Sequence, residues 1–319
     1  MKLKHHVEYV SVRVLAFILQ HLSYRGALRV GWIVAWLGFV VFRFRVRAAQ
    51  SRIREVFGSR FSEREVRNIA WLSWRNFMFS VVELIRIPVS TSEWLWSVID
   101  DEDTIEKVSN HLKKGQGAIV AVAHMGSWEM AALACLARKI PLFSIAAPQK
   151  NPMVDDFVNQ LRSKTGFETV LRDSSVLKKI IRKIRAGKVL AILPDVRSRT
   201  EAMAISFFGK TANVAGGMGF IAKQTGVPVF PCIFSRIGWN RHRFHIFDPI
   251  WPDSSLDKQA DGLRITQAVF DIFDRRIREE PEQWFWFNKR WILDPLEVVP
   301  VPLESPPGSV ENEKSDQKR

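Results

Sequence analysis

The sequence predicts an α/β fold, in which a largely parallel central sheet is flanked by helices and preceded by amino-terminal hydrophobic, membrane-associating helices. From about residue 117, short apolar runs alternate with amphipathic stretches, which is the βαβα order typical of a parallel sheet. Near the amino terminus, a nearly uncharged run extends from Val30 to Phe42. A cluster of arginines follows it directly, which favours contact between this end and a membrane.

The amino-terminal segment is predicted to be helical and retained. It lacks an Ala-x-Ala cleavage pattern, and Arg13 interrupts what would be the apolar core of a signal peptide. The run Val30–Phe42 is shorter than the roughly 20 residues of a full span, so a tilted short span, an interfacial helix and a core helix all remain open. Apolar residues recur at helical spacing before this run, and basic residues follow it: Val10, Val14, Phe17, Ile18 and Leu22, then Arg43, Arg45, Arg47, Arg52 and Arg54. These arginines suit anionic head groups on the cytoplasmic side, or form an ordinary solvated basic face.

The amino-acid composition limits the classes of molecule that the protein is expected to bind. The formal net charge of +14 and the pI near 10.1 favour phosphate groups, anionic bilayers, acidic proteins or nucleic acid. Twelve Trp and twenty-two Phe against two Tyr shift that choice towards an anionic membrane surface and make nucleic acid an unlikely partner. Cys135 and Cys232 lie in apolar runs without metal-binding spacing, and we interpret them as buried thiols.

The remaining chain is predicted to form one domain over 61–295, after a membrane-associating segment at 1–60 and before a disordered tail at 296–319. Ser62 and Glu65 form a capping box that opens a long helix ending before Pro88. Apolar runs predict buried strands, and the stretches between them predict helices, as follows: strands at Ala118–Ala123, Leu142–Ala146, Val189–Leu193 and Val229–Phe234, and helices at 127–138, 153–164, 174–186 and 214–224.

The strongest chemical signal is the segment from His124 to Glu129. The first predicted strand delivers His124 to the carboxyl edge of the sheet, and Gly126 turns the chain into a helix whose first turn carries Glu129. Such a turn places a base, an orienting carboxylate and free backbone amides together. We therefore predict that His124 and Glu129 are catalytic and that the amides around Gly126 bind an oxyanion or phosphate.

Other charged residues follow predicted strands at the same edge. Lys150 lies after the second strand, with Arg162 one helix further on, and Asp195 and Arg197 follow the third strand. No metal site is predicted, because a strand would place His242 and His245 on opposite faces and no third ligand is evident.

Together these segments resemble the late acyltransferases of lipid A biosynthesis, within the wider glycerolipid acyltransferase superfamily. The resemblance covers nearly the whole chain. The matching parts occur in the family's order: the hydrophobic amino-terminal helix, HMGSWE, the Lys-Asn-Pro stretch at Lys150, LPD ending at Asp195, FFGK, TGVPVFP and PEQWFWFNKRW from Pro281 to Trp291. The chain departs from the usual pattern at Ser127, commonly Asn, and at Val196, commonly Gln.

The resemblance implies transfer of an acyl chain from an acyl carrier protein thioester to a hydroxyl of a lipid A precursor at the cytoplasmic face of the inner membrane. It makes His124 the base, paired with Glu129, gives substrate-binding roles to Lys150, Arg162, Asp195 and Arg197, and requires no cofactor. Two alternatives stay open: acylation of another lipid, such as a lysophospholipid or a phosphoinositide mannoside, or a catalytically inactive, basic membrane-binding protein.

Overall fold

A computed structural model describes residues 3–101, 104–146, 150–171, 174–198 and 203–295. The predicted disordered tail at 296–319 lies outside these residues. The division of the chain at residue 60 stays a prediction.

A seven-stranded sheet forms the centre of the fold, which confirms the predicted α/β class. Its strand order is β1-β9-β8-β2-β5-β3-β4, and the five strands from β8 to β4 run parallel. Strand β9 is antiparallel to β8, and β1 runs parallel to β9 at the edge. The strands are β1 Ile99–Asp100, β2 Ala118–Val122, β3 Leu142–Ala146, β4 Glu168–Leu171, β5 Val189–Ile192, β8 Val229–Ile237 and β9 Arg241–Ile246, and a separate antiparallel hairpin contains β6 Met203–Phe207 and β7 Lys210–Val214.

Helices cover both faces of the sheet. Strand β2 is buried along its whole length, which explains why its sequence is continuously apolar rather than alternating. The helices are α1 Leu3–His21, α2 Tyr24–Trp36, α3 Val46–Phe57, α4 Glu63–Arg86, α5 Ser92–Val98, α6 Glu106–Leu112, α7 Trp128–Ala137, α8 Pro152–Ser163, α9 Val176–Arg185, α10 Gly217–Thr225 and α11 Lys258–Glu279. All four predicted strands and all four predicted helices are confirmed within a few residues, whereas β1, β4, β9 and the β6–β7 hairpin were not predicted.

Helix α4 is the long helix that the capping box predicts. The Ser62 side chain accepts from the Glu65 backbone N–H, and the Glu65 carboxylate accepts from the Ser62 N–H at 2.8 Å. Helix α2 packs closely on α4, because a Cβ atom added at Gly31 would lie only 2.8 Å from the Val82 side chain. The indole of Trp74 on α4 donates to the carbonyl oxygen of Ala35 at 3.0 Å.

The amino-terminal helices leave a large apolar surface exposed. Helix α2 continues as a π-helical turn, Leu37–Val41, and Tyr24–Val41 is, within the described ranges, the one helical segment long and apolar enough to cross a membrane. A third of that segment is buried against the protein, and a core helix or a signal sequence would pass the same test of length and composition. Exposed apolar side chains on this surface are Leu3, Val7, Val10, Val14, Phe17, Ile18, Ile33, Trp36, Val41, Phe42 and Phe44.

Candidate active site

The turn after β2 is held in place by a segment from the carboxyl-terminal part of the chain. Met125 pairs with Trp284 in an isolated antiparallel bridge, and the Phe285 N–H donates to the His124 carbonyl oxygen at 3.0 Å. Gly126 has a φ of +52°, and a Cβ atom there would lie 2.2 Å from the carbonyl oxygen of Phe234 on β8. Both the backbone conformation and the available space therefore require glycine.

His124 is bonded to Asp195. Strand β5 lies next to β2, so the residues that follow both strands meet at the carboxyl edge. The Asp195 carboxylate lies 2.6 Å from His124 Nδ1 and accepts from the His124 backbone N–H and the Trp284 indole, each at 2.8 Å. Burial alone would raise the pKa of Asp195, but the nearby His124 ring and these hydrogen bonds outweigh burial and lower it below its usual range. Asp195 is thus an ionised, fixed acceptor, and its contact with Nδ1 selects the tautomer with the proton on that nitrogen.

The other ring nitrogen of His124 is available to a substrate. Nε2 has no hydrogen-bond partner among the described residues, and the His124 side chain is 23% exposed. The Trp128 ring packs against the imidazole edge-to-face, with the ring centroids 5.0 Å apart. A small crevice opens beside His124, lined also by Phe285, Asn288 and Arg290.

Glu129 contacts a different partner from the predicted one. Its carboxylate is buried in the first turn of α7 and accepts two hydrogen bonds from the Arg162 guanidinium of α8, one of them from Nε at 3.2 Å. The predicted orienting contact with the imidazole Nδ1 is made by Asp195 instead. The reason is topological: β5 delivers Asp195 directly beside the end of β2, whereas α8 delivers a cation to Glu129.

The other predicted site residues have varied surroundings. The Gly126 N–H already donates to the Gln283 carbonyl oxygen at 3.0 Å, so this amide holds the turn together. Arg197 is buried and donates to the Pro295 carbonyl oxygen at 2.6 Å. Lys150 is exposed just before α8 and makes no hydrogen bond with the site residues that the structure describes. The substrate-binding roles of these residues stay predictions, as do the catalytic roles of His124 and Glu129.

Sequence reasoning missed a polar stripe on α4 that contacts the site from one side. Ser73 donates to the Trp284 carbonyl oxygen at 2.5 Å, Asn76 to that of Glu282 at 3.1 Å, and Ser80 to that of Gly126 at 2.6 Å. All three side chains are buried. The available signal was their spacing of three and four residues, which places small polar side chains in a row on the apolar face of the helix.

The remaining sequence-based interpretations can now be placed. Cys135 and Cys232 are buried free thiols, as predicted. Four aromatic side chains of the PEQWFWFNKRW motif are buried in the core, and one of them, Trp284, also reaches Asp195; the four are Trp284, Trp286, Phe287 and Trp291. Within the described ranges, no group of three or more His, Cys, Asp or Glu side chains could hold a metal ion.

Sequence comparison relates the chain to known acyltransferases. A phosphatidylinositol mannoside acyltransferase of Mycolicibacterium smegmatis is 24% identical over 218 residues, 66% of this chain and 68% of that protein. One from Mycobacterium tuberculosis is 24% identical over 230 residues, 70% of each chain. A lipid A biosynthesis acyltransferase of Haemophilus influenzae is 22% identical over 186 residues, 57% of this chain and 56% of that protein.

The sequence profile of the bacterial lipid A biosynthesis acyltransferases matches residues 2–292, nearly the whole chain. This match confirms the resemblance that the ordered motifs indicated. The chain is therefore an acyltransferase that belongs to the bacterial lipid A biosynthesis acyltransferase family.

Proposed function

We propose that this acyltransferase moves a fatty acyl chain from an acyl carrier protein thioester to a hydroxyl of a lipid A precursor, with His124 as general base. The observation that supports this role most directly is the 2.6 Å contact of Nδ1 with a buried, ionised Asp195, which leaves Nε2 without a hydrogen-bond partner among the described residues. A lipid hydroxyl is a poor nucleophile at neutral pH, so removing its proton as it attacks contributes roughly 10²- to 10⁴-fold.

The proposed reaction has two steps. Nε2 takes the hydroxyl proton while the hydroxyl oxygen bonds to the thioester carbonyl carbon, which gives a tetrahedral oxyanion. The oxyanion then collapses, the carbon–sulfur bond breaks, and the thiolate leaves with the proton from Nε2. Asp195 stabilises the imidazolium between these steps and keeps the ring oriented.

A row of neighbouring aromatic rings leads from Phe44 to Trp128, next to His124. Centroid distances are 5.4 Å from Phe44 to Trp74, 5.7 Å from Trp74 to Phe77 and 6.3 Å from Phe77 to Trp128. Trp128 in turn contacts His124. Because Phe44 is half-exposed beside the apolar amino-terminal surface, we propose that the lipid approaches along this row from the bilayer.

Cations near the crevice suit a phosphorylated acceptor. Arg290 lines the crevice, and Arg162 holds Glu129 while its side chain stays 22% exposed. We propose that Arg162 and Arg197 bind acceptor phosphate or the acidic carrier, with Lys150 at the periphery, because guanidinium groups match phosphate oxygens in pairs.

A second acceptor is favoured by the relatives. The names of the mycobacterial proteins specify a phosphatidylinositol mannoside, which, like a lipid A precursor, combines sugar hydroxyls, phosphate and acyl chains. We therefore propose it as the alternative acceptor. The proposed location, in either case, is the cytoplasmic face of the inner membrane, with the surface of α1 and α2 against anionic lipid.

The test is an acyl-transfer assay with purified, full-length protein in lipid–detergent micelles. Acyl carrier protein and coenzyme A thioesters are each offered with a lipid A precursor or a phosphatidylinositol mannoside, and products are identified by mass spectrometry. We expect one ester product from acyl carrier protein and the lipid A precursor, and none from His124→Ala. Transfer only to the mannoside would select the alternative acceptor. A folded His124→Ala enzyme with full activity would overturn the mechanism.

A further inference from the structure

A buried ion pair that the proposed reaction does not use lies behind the His124 turn. Glu83 of α4 accepts two hydrogen bonds from the Arg236 guanidinium of β8, at 2.8 Å and 2.7 Å. Both side chains are almost wholly buried. Tyr24 of α2 donates to the same carboxylate at 2.5 Å, and the His242 ring lies 3.3 Å from it.

Stability alone is a weak reason for such a cluster. Removing two charges from water is costly, and apolar side chains of similar volume commonly stabilise a fold as well as a buried ion pair does. What an ion pair adds is directional geometry, because the planar guanidinium fixes the carboxylate through two parallel hydrogen bonds. Here that geometry joins α4 to β8.

The ion pair connects to the catalytic turn through β8. The Arg236 backbone N–H donates to Gln283 Oε1 at 2.8 Å, and Gln283 Nε2 donates to the Arg236 carbonyl oxygen at 3.1 Å. The carbonyl oxygen of Gln283 then accepts from the Gly126 N–H at 3.0 Å. Two residues before Arg236, the Phe234 carbonyl oxygen occupies the space that a side chain at Gly126 would need.

The same ion pair connects to the turn through α4. Ser80 lies three residues before Glu83, on the same face of the helix, and donates to the Gly126 carbonyl oxygen at 2.6 Å. The peptide groups around Gly126 are therefore held from β8 through Gln283 and from α4 through Ser80. A relative shift of α4 and β8 would change both contacts together.

We propose that Glu83 and Arg236 are positioning residues for the acyl-transfer site: their ion pair fixes α4 against β8, and so holds the Gly126 turn and keeps His124 on Asp195. Tyr24 extends this cluster to α2, the first helix of the apolar segment Tyr24–Val41. Only the catalytic reading of His124 rests on the proposed function. The geometric part of the proposal concerns where the His124 ring lies and can be tested without turnover.

The experiment compares Glu83→Gln and Arg236→Lys with a matched control, Asp261→Asn. Asp261 is also a fully buried carboxylate with a cationic partner, Arg264, but it lies on α11, and among the described residues it bonds to none of the turn. The melting temperature of each full-length protein is measured first. Values of kcat and KM are then measured at a temperature at which all the variants are folded. Tyr24→Phe, which removes the hydroxyl contacts with Glu83 and His242 but no charge, provides a variant that folds if the charged substitutions do not.

We expect Glu83→Gln and Arg236→Lys to lower kcat on the order of 10- to 100-fold with KM nearly unchanged, as expected for a misplaced catalytic group. Tyr24→Phe should lower kcat by a smaller factor, whereas Asp261→Asn should lower the melting temperature and leave kcat unchanged. Equal kcat values for the Glu83 variant and the Asp261 control would overturn the proposal.

A second measurement separates this proposal from the proposed function. The ring signals of His124 are assigned in ¹H–¹⁵N spectra by their loss in His124→Ala, and the Nδ1 proton reports the bond to Asp195. We expect this proton to shift or broaden in Glu83→Gln and Tyr24→Phe, and to stay in place in Asp261→Asn. If the wild type transfers no acyl chain, the proposed function fails while the spectra still decide the positioning role. An unmoved Nδ1 proton in folded Glu83→Gln would refute that role even in an active enzyme.

Discussion

Asp195→Asn preserves the size of the side chain and replaces one acceptor oxygen with an NH₂ donor. In the wild type, one carboxylate oxygen lies 2.6 Å from His124 Nδ1 and the other accepts from the His124 N–H and the Trp284 indole. The single oxygen of Asn can accept from both the His124 N–H and the Trp284 indole if it takes the place of the second carboxylate oxygen. Its NH₂ group then faces Nδ1 and forces the imidazole proton onto Nε2, the nitrogen that must accept the substrate proton.

The expected magnitude follows from that tautomer change. In a serine protease triad, the same substitution of the orienting Asp lowers kcat about 10⁴-fold, and we expect a loss of roughly 10³- to 10⁴-fold here. That loss corresponds to about 4 to 5.5 kcal/mol of transition-state stabilisation. KM should change little, because the Asp195 side chain is fully buried and its carboxylate is already bonded to His124 and Trp284.

The assay is single-turnover acyl transfer at saturating donor and acceptor, with the ester product quantified by mass spectrometry. Circular dichroism and melting temperature confirm that the variant is folded, and Asp261→Asn controls for the loss of a buried carboxylate elsewhere. A folded Asp195→Asn enzyme within tenfold of the wild-type rate would refute the reasoning that Asp195 selects the tautomer.

Four further outcomes are expected. Because Glu129 and Arg162 form an ion pair, Glu129→Gln and Arg162→Gln should each reduce kcat/KM. In a double-mutant cycle with the same assay, the double variant should be little less active than the less active of the two single variants. Burial would raise the pKa of Glu83, but the Arg236 guanidinium and the hydrogen-bonded His242 ring hold that pKa well below its usual range. The ionised Glu83 carboxylate therefore contributes fully to the free energy of unfolding above its unfolded pKa of about 4.5, and this contribution is lost as pH falls from there towards the folded pKa. In urea titrations, the difference in unfolding free energy between the wild type and Glu83→Gln should consequently become smaller at acid pH. Phe42 is 75% exposed on the apolar surface, and Phe42→Ser should weaken binding to anionic vesicles by about 2 kcal/mol, or roughly 30-fold, in flotation assays; unchanged flotation would contradict membrane contact at this side chain. Gly126→Ala should lose activity and melting temperature together, since its Cβ atom has no space and its φ is positive; an active, equally stable variant would contradict the described turn.

The sequence predicts the parts of the fold that depend on local patterns. The continuous apolar run of β2 reveals a buried strand, Gly126 reveals a turn, and the Ser62–Glu65 capping box marks the start of α4. These features follow from side-chain period and turn chemistry over a few residues. The position of His124 at the carboxyl edge follows in the same way.

The partner of His124 could not be predicted from such patterns. Glu129 is close in sequence, whereas Asp195 is 71 residues away and meets His124 only because β5 lies beside β2. Periodicity identifies strands but does not give their order in the sheet. The pairing of Glu83 with Arg236 depends in the same way on where α4 crosses the sheet, 153 residues away in sequence.

The polar stripe of α4 follows from a general requirement of the active-site edge. Beyond the last ladder bond of a strand, the backbone groups of a buried turn need other hydrogen-bond partners. The turn at Gly126 and the segment at Trp284 are both buried and irregular, so regular strand pairing cannot supply those partners. Ser73 and Ser80 supply them from a rigid helix, and because α2 packs on the same helix, the helical surface proposed to meet the membrane and the catalytic turn share one support.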